Sequence, residues 1–225
     1  IDGSREIIEE YADRLHYWVS EPDGGQTDAI AKGFAHATGD VMCWINSDDQ
    51  LEPGSLKAVA DFFRHHPKAD VVTGDHTKMR EDGTPIKLHR DLPFNRFLWF
   101  HTYNYTAQTS TFWKRSLYEK VGGMDRQFNV GMDTDLFARF AEEARWYKTR
   151  GIWSRFRLHK DQKTQTLLAR MAEENDLLMT RHCGIRSAVS HQAQRCVARL
   201  IRIAWRFGSG CYWARLPTDK RSPLY

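Results

Sequence analysis

No run of 18 or more apolar residues occurs in this 225-residue chain, so no segment reads as a membrane-spanning helix. No signal peptide is visible, but the chain opens Ile1-Asp2-Gly3-Ser4 without Met, and that absence excludes little. Cysteine is sparse. Cys43, Cys183, Cys196 and Cys211 show no C-x-x-C spacing, which argues against a zinc site or disulfide framework and favours reduced cytosolic thiols. Acidic residues are missing from Leu177 to Thr218, a stretch holding Arg181, Arg186, Arg195, Arg199, Arg202, Arg206 and Arg215. That basic tail lacks the aromatic interleaving and fold motifs of nucleic-acid binders, so no nucleic acid is expected as partner. There is no internal repeat and no low-complexity tract.

What remains is an ordinary globular composition, 41% hydrophobic and 28% charged, long enough for one sizeable α/β core with a helical appendage. Eight Trp and twelve Phe suit packed cores, a carbohydrate-facing surface or membrane contact. Helical spacing predicts a helix from Ser4 to Leu15, and alternation a short strand from His16 to Ser20. A helix runs from Thr27 to about Ala37. The continuous apolar run Val41-Met42-Cys43-Trp44-Ile45 then reads as a strand in the middle of a covered sheet. Further on come a helix to about His66, a strand over Asp70–Thr73, a hairpin over Lys78–Leu88 turning at Asp82-Gly83, a strand over Ser110–Trp113, a short helix over Ser116–Val121, a helix over Asp133–Ala144, an extended segment over Ile152–Leu158, and helical pattern from Asp161 to about Phe207. Alternating strands and helices predict a mostly parallel, Rossmann-like sheet flanked by helices, with ligands beyond the strands' C-terminal ends.

Asn46-Ser47-Asp48-Asp49 stands at such an end. Adjacent carboxylates repel, and a divalent cation that bridges carboxylate and phosphate oxygens is one reason to keep them. A solvated turn with a helix cap is the plain alternative. A second acidic segment, Met132-Asp133-Thr134-Asp135, starts a helix, where the macrodipole favours Asp whatever its role.

Taken together, Asp23-Gly24-Gly25-Gln26-Thr27-Asp28-Ala29-Ile30-Ala31-Lys32-Gly33-Phe34, then Ala37-Thr38-Gly39-Asp40, then Trp44-Ile45-Asn46-Ser47-Asp48-Asp49 resemble the family 2 glycosyltransferases of the GT-A fold, over roughly residues 1–159. The resemblance implies transfer of a sugar from a nucleoside-diphosphate sugar to a hydroxyl of a carbohydrate or lipid-linked acceptor, inverting and dependent on Mg²⁺ or Mn²⁺. It implies that Asp28, Asn46, Asp48 and Asp49 bind the nucleotide sugar, with Asp48 also a metal ligand and Asp49 its second choice or orienting partner. Asn46 stands where the family has an acidic residue, Ala31 where it often has Asn, and Met132 where it usually has Glu. Asp133 matches the base that deprotonates the acceptor, and Asp135 and Arg139 read as structural. His159 follows the last catalytic strand, where the fold commonly carries a metal- or diphosphate-contacting His. Lys160 and Lys163 read as a solvated basic face or as neighbours of the leaving phosphates. A non-catalytic, degenerate transferase and a nucleotidyltransferase on a similar sheet are the competing readings.

By the same resemblance, Asp2-Gly3-Ser4 looks like the segment just after the second strand of the catalytic domain. The expected organisation is a catalytic domain over 1–160, lacking its first strand and the acid that contacts the nucleotide base, and a helical C-terminal extension over 161–225. In that extension Arg195, Arg199, Arg202 and Arg206 share one helix face, opposite Val197, Leu200, Ile201, Ala204 and Trp205. Such a helix packs its apolar face on the domain with arginines in water, or lies on an anionic membrane. The expected location is the cytoplasm, at the inner face of the cell membrane if the helix docks there.

Overall fold

The computed structural model describes residues 2–160, 162–183 and 188–216. Ile1, Asp161 and Arg186 lie outside the described residues. In chain order the elements are α1 (Ser4–Glu10), α2 (Gln26–His36), β1 (Val41–Met42), β2 (Gln50–Leu51), α3 (Ser55–His65), β3 (Val71–Met79), β4 (Pro85–His89), α4 (Arg96–His101), β5 (Thr111–Lys114), α5 (Arg115–Lys120), α6 (Met132–Glu143), β6 (Trp146–Arg157), α7 (Lys163–Thr166), α8 (Leu168–Cys183) and α9 (Ala188–Gly208).

The strands form one sheet in the order β1-β5-β3-β6-β2, with β4 also paired to β3. The α/β class and flanking helices are as expected, but the strand directions are mixed. Only β3 and β6 run parallel among the described strands; the other pairings are antiparallel. The reason lies in the connections. The β3–β4 hairpin reverses the chain, and β5, reached through α4, runs the same way as β4 along the first residues of β3, whereas the connection through α6 crosses over so that β6 runs with β3.

Two apolar clusters sandwich this sheet. One gathers Phe34, Val71, Trp113, Phe128, Leu136, Phe137 and Phe140 beneath α2 and α6. The other packs Val59, Phe63, Val72, Phe112 and Trp153 under α3. Fully burying each such side chain contributes about 1.5–3 kcal/mol. The long β3–β6 ladder bends at Gly74, where the register shifts. A Cβ there would stand 2.6 Å from the Trp153 ring, so only glycine lets the indole cross the strand.

Two expected strands differ. Residues His16–Ser20 form no strand; Tyr17 stacks on His36 of α2 at 3.6 Å between ring centroids, an anchor that needs no ladder partner. The run from Val41 to Ile45 is a strand only at Val41–Met42, and it sits at the end of the strand order rather than in the middle. Beyond Met42 the side chain of Gln108 takes the Trp44 carbonyl at 2.6 Å, which replaces a ladder bond and turns the chain toward the acidic loop.

The C-terminal helix packs the opposite way from the domain-packing expectation. Arg202 and Arg206 point inward onto the buried Asp91, at 2.9 Å each, and Arg202 lies 4.3 Å over the Tyr103 ring. Val197, Leu200, Ile201 and Ile203 face outward and are exposed. Burial alone would raise the Asp91 pKa, but His89 and the two guanidiniums hold it below the usual carboxylate range. One paired carboxylate thus fixes the orientation of a whole helix.

Candidate active site

The loop after β1 closes as a tight turn, with the Asp49 amide donating to the Asn46 carbonyl at 3.1 Å. The turn separates its two carboxylates by role. Asp49 is buried and accepts from the Arg157 backbone N–H at 2.9 Å and from Asn46 Nδ2 at 3.3 Å. Desolvation pushes its pKa up to about 6. Asp48 stays half-exposed and meets His159, with Oδ2 and Nε2 3.0 Å apart. When Nε2 carries a proton this is a hydrogen bond; when it does not, carboxylate and imidazole present lone pairs to one point. Arg157 organises both residues from the end of β6, since its guanidinium Nε also donates to the Asp48 carbonyl at 2.7 Å. Sequence reasoning missed Arg157, because its role depends on backbone positions 109 residues apart.

Asn46 carries no charge, yet it is not idle. Its Oδ1 accepts from Gln26 Nε2 at 2.9 Å, which ties the acidic loop to the start of α2. The next residue, Thr27, donates to the Phe128 carbonyl and touches the Met132 sulfur at 3.0 Å. Met132, buried beside Asp133, is therefore a packing residue in the place of the expected Glu. Through Gln26 and Thr27 the loop of Asp48 is linked to the start of α6. The glycine before them matters too: Gly25 has φ +112°, and a Cβ there would press to 3.0 Å on Asn129.

Asp133 is half-buried at the first turn of α6. Its Oδ1 accepts the Thr134 N–H at 2.7 Å, and its Oδ2 accepts from Asn104 Nδ2 at 3.3 Å. Desolvation raises its pKa above the ordinary carboxylate value despite these bonds. Asn104 is itself fixed, its Oδ1 accepting from the Trp99 indole and the Thr106 amide. An isolated Asn between aromatics carries no motif, and nothing in the sequence marked it. Replacing Asn104 by Ala should leave the fold intact and, where Asp133 is the group that takes the acceptor proton, lower turnover about tenfold with little change in KM, as expected for loss of one hydrogen bond to that carboxylate; steady-state kinetics checks this.

Asp28 is placed differently from the rest. Its carboxylate accepts from the Gly24 amide at 3.1 Å and Arg126 Nε at 2.7 Å, with Lys32 3.6 Å away. The Gly24 bond and the Arg126 bond lower its pKa. It braces the Gly24-Gly25 turn and does not touch Asp48 or His159. Asp135, fully buried, binds Arg139 at 2.6 Å and Arg181 at 3.1 Å. Both Asp135 and Arg139 sit as structural residues.

A metal ion would find two protein donors here, Asp48 and His159, since Asp49 is committed to Arg157 and Asn46. Among the described residues no group of three His, Cys, Asp or Glu gathers to hold a cation alone. Two donors fit an ion that draws its remaining ligands from phosphate and water, the habit of Mg²⁺ with nucleotides.

A mixed sheet with helices packed on both faces matches the GT-A glycosyltransferase fold. Staphylococcus aureus TarS residues 1–349, crystallised in complex with UDP-GlcNAc, superpose with a TM-score of 0.55 at 14% identity, covering 88% of this chain and 67% of that one. The family model described as Glycosyl transferase family 2 matches residues 1–128, and the chain belongs to this family. Asp133 and His159 lie beyond the matched stretch. An uncharacterized glycosyltransferase of Mycobacterium tuberculosis is 26% identical over 132 residues, covering 56% of this chain and 47% of its own length. The O-antigen biosynthesis protein RfbC of Myxococcus xanthus is 27% identical over 143 residues, 60% of this chain and 11% of RfbC. The chain thus spans about half or less of these relatives. No helix among the described residues is long and apolar enough to cross a membrane.

Proposed function

We propose that the protein transfers a sugar from a nucleoside-diphosphate sugar to a hydroxyl of a carbohydrate or lipid-linked acceptor, with inversion at the anomeric carbon. The observation that carries this reading is the contact of Asp48 with His159 across 111 residues, in a loop that Asn46, Gln26 and Thr27 tie to the start of α6, where Asp133 stands. Family membership and the UDP-GlcNAc complex of TarS support a nucleotide-sugar donor. Catalysis at the cytoplasmic face fits such a donor.

In this reading Asp48 and His159 hold Mg²⁺ or Mn²⁺, which supplies electrostatic stabilisation of the departing diphosphate when bound. Asp49 positions Asp48 through the turn and Arg157. Asn46 and Gln26 offer amides to sugar or ribose hydroxyls. Asp133 accepts the proton of the acceptor hydroxyl, whose oxygen bonds the anomeric carbon as the bond to the diphosphate oxygen breaks. Asn104 and the Thr134 amide aim the carboxylate. The raised pKa of Asp133 suits it to the task, because a stronger base takes the proton more readily.

The test is calorimetric titration of the full chain with UDP and dTDP, with and without Mn²⁺. Wild type should bind in a metal-dependent way. Asp48→Ala and His159→Ala should each weaken metal-dependent binding by at least ~10–100-fold. Binding that is unaltered in both variants overturns the metal assignment. Tight donor binding without sugar release to any acceptor would favour the degenerate-transferase reading.

A further inference from the structure

Helix α9 turns its arginines inward and its apolar residues outward, and that outward face has a chemistry of its own. Leu200 is 69% exposed, Phe207 64%, Ile203 55% and Val197 50%, on the side of the helix opposite the buried Ala198 and the Asp91-bound Arg202 and Arg206. The exposed apolar positions run from Val197 to Phe207, a stripe about 15 Å long. At its end the chain turns at Gly210, and Trp213 joins the same exposed surface, 4.8 Å from the Phe207 ring centroid, while Tyr212, also exposed, lies against the Arg206 guanidinium. Arg199 and Arg215 are exposed beside the stripe and enter no ion pair among the described residues.

An apolar face of this size on a water-facing helix needs an occupant. A second copy of the chain is disfavoured by charge. A two-fold contact would set this positive surface against itself, with no acid between Leu177 and Thr218 to neutralise it. An anionic bilayer answers both features at once. Aliphatic and aromatic side chains enter the acyl boundary, Tyr and Trp sit at headgroup depth, and arginines meet lipid phosphates. The inward arginines do not oppose this, since Asp91 holds them in the protein body.

We propose that the outward face of α9, with the Tyr212–Trp213 turn, docks in the plane of an anionic phospholipid membrane. The inference goes beyond sugar transfer and stands whether or not that activity is as proposed. The full chain should float with vesicles of phosphatidylcholine and phosphatidylglycerol, and far less with phosphatidylcholine alone. Replacing Leu200→Glu together with Phe207→Glu should cut the bound fraction at least about tenfold, while the thermal melt stays put because both side chains already face water. Arg199→Glu with Arg215→Glu should weaken binding to the anionic vesicles, as should raised salt. Equal binding of the glutamate variants and wild type, or no preference for anionic vesicles, would overturn the proposal. So would a wild-type dimer in sedimentation that Leu200→Glu/Phe207→Glu converts to monomer without any vesicle binding.

Discussion

Asp133→Asn is expected to reduce sugar transfer by roughly 10²–10⁴-fold, the usual range for loss of a positioned general base. Donor binding should be unchanged, because Asp133 belongs to the first turn of α6 and not to the Asp48–His159 pair. The substitution is nearly isosteric. Asn keeps an oxygen to accept the Thr134 amide at the place of Oδ1, so packing around α6 is preserved. Its amide nitrogen would then face Asn104 Nδ2 where Oδ2 now accepts, a local mismatch confined to that contact. The pH profile makes a separate statement. Burial raises the Asp133 pKa, so transfer should fall on the acid side with a midpoint above the ordinary carboxylate range, and the variant should lose that limb. Single-turnover assays against pH, beside titration with UDP, check both. Turnover close to wild type would remove Asp133 from the role of base and leave the donor site standing.

Much of this arrangement was legible before any coordinates, and the reasons differ by element. Helices α2, α3 and α6 and the hairpin at Asp82-Gly83 are local structures, encoded by spacing and turn chemistry. The Asp48–His159 contact was legible only because a family pattern orders those residues; spacing alone says nothing about a partner 111 positions away. Asp28 shows what that route leaves out: a motif position implies a ligand contact, and nothing in it announces that Arg126, 98 residues on, also pairs with the carboxylate. The inversion of α9 is the plainest failure of local reasoning. A helical wheel records which residues share a face, but which face turns inward was decided by Asp91 and by the stacking of Arg202 on Tyr103 and Tyr105. A paired, desolvated cation can outweigh a stripe of aliphatics when a buried acid is waiting for it.

The same dependence on a distant acid makes Glu174 the second large effect. This residue of α8 is 6% exposed and accepts from the backbone amides of Asn129, Val130 and Gly131 at 2.9, 2.9 and 2.7 Å, with Arg170 2.8 Å away. Those amides precede α6 and have no helical acceptors of their own, so the carboxylate acts as a cap supplied from another element. Glu174→Ala leaves three part-buried donors without their acceptor; at ~1–3 kcal/mol for each group left unsatisfied, with water recovering part of it, the loss should be about 2–4 kcal/mol. Chemical denaturation should show a lower midpoint at an unchanged slope. Glu174→Gln separates charge from shape, because its amide oxygen still accepts, and it should recover roughly half of the loss. Because the capped segment leads directly into Asp133, the Ala variant should also lose turnover in conditions where it stays folded, with donor affinity at Asp48 and His159 retained. If stability falls without that loss of turnover, the cap serves the fold alone; if neither moves, α8 does not hold the segment that leads into Asp133.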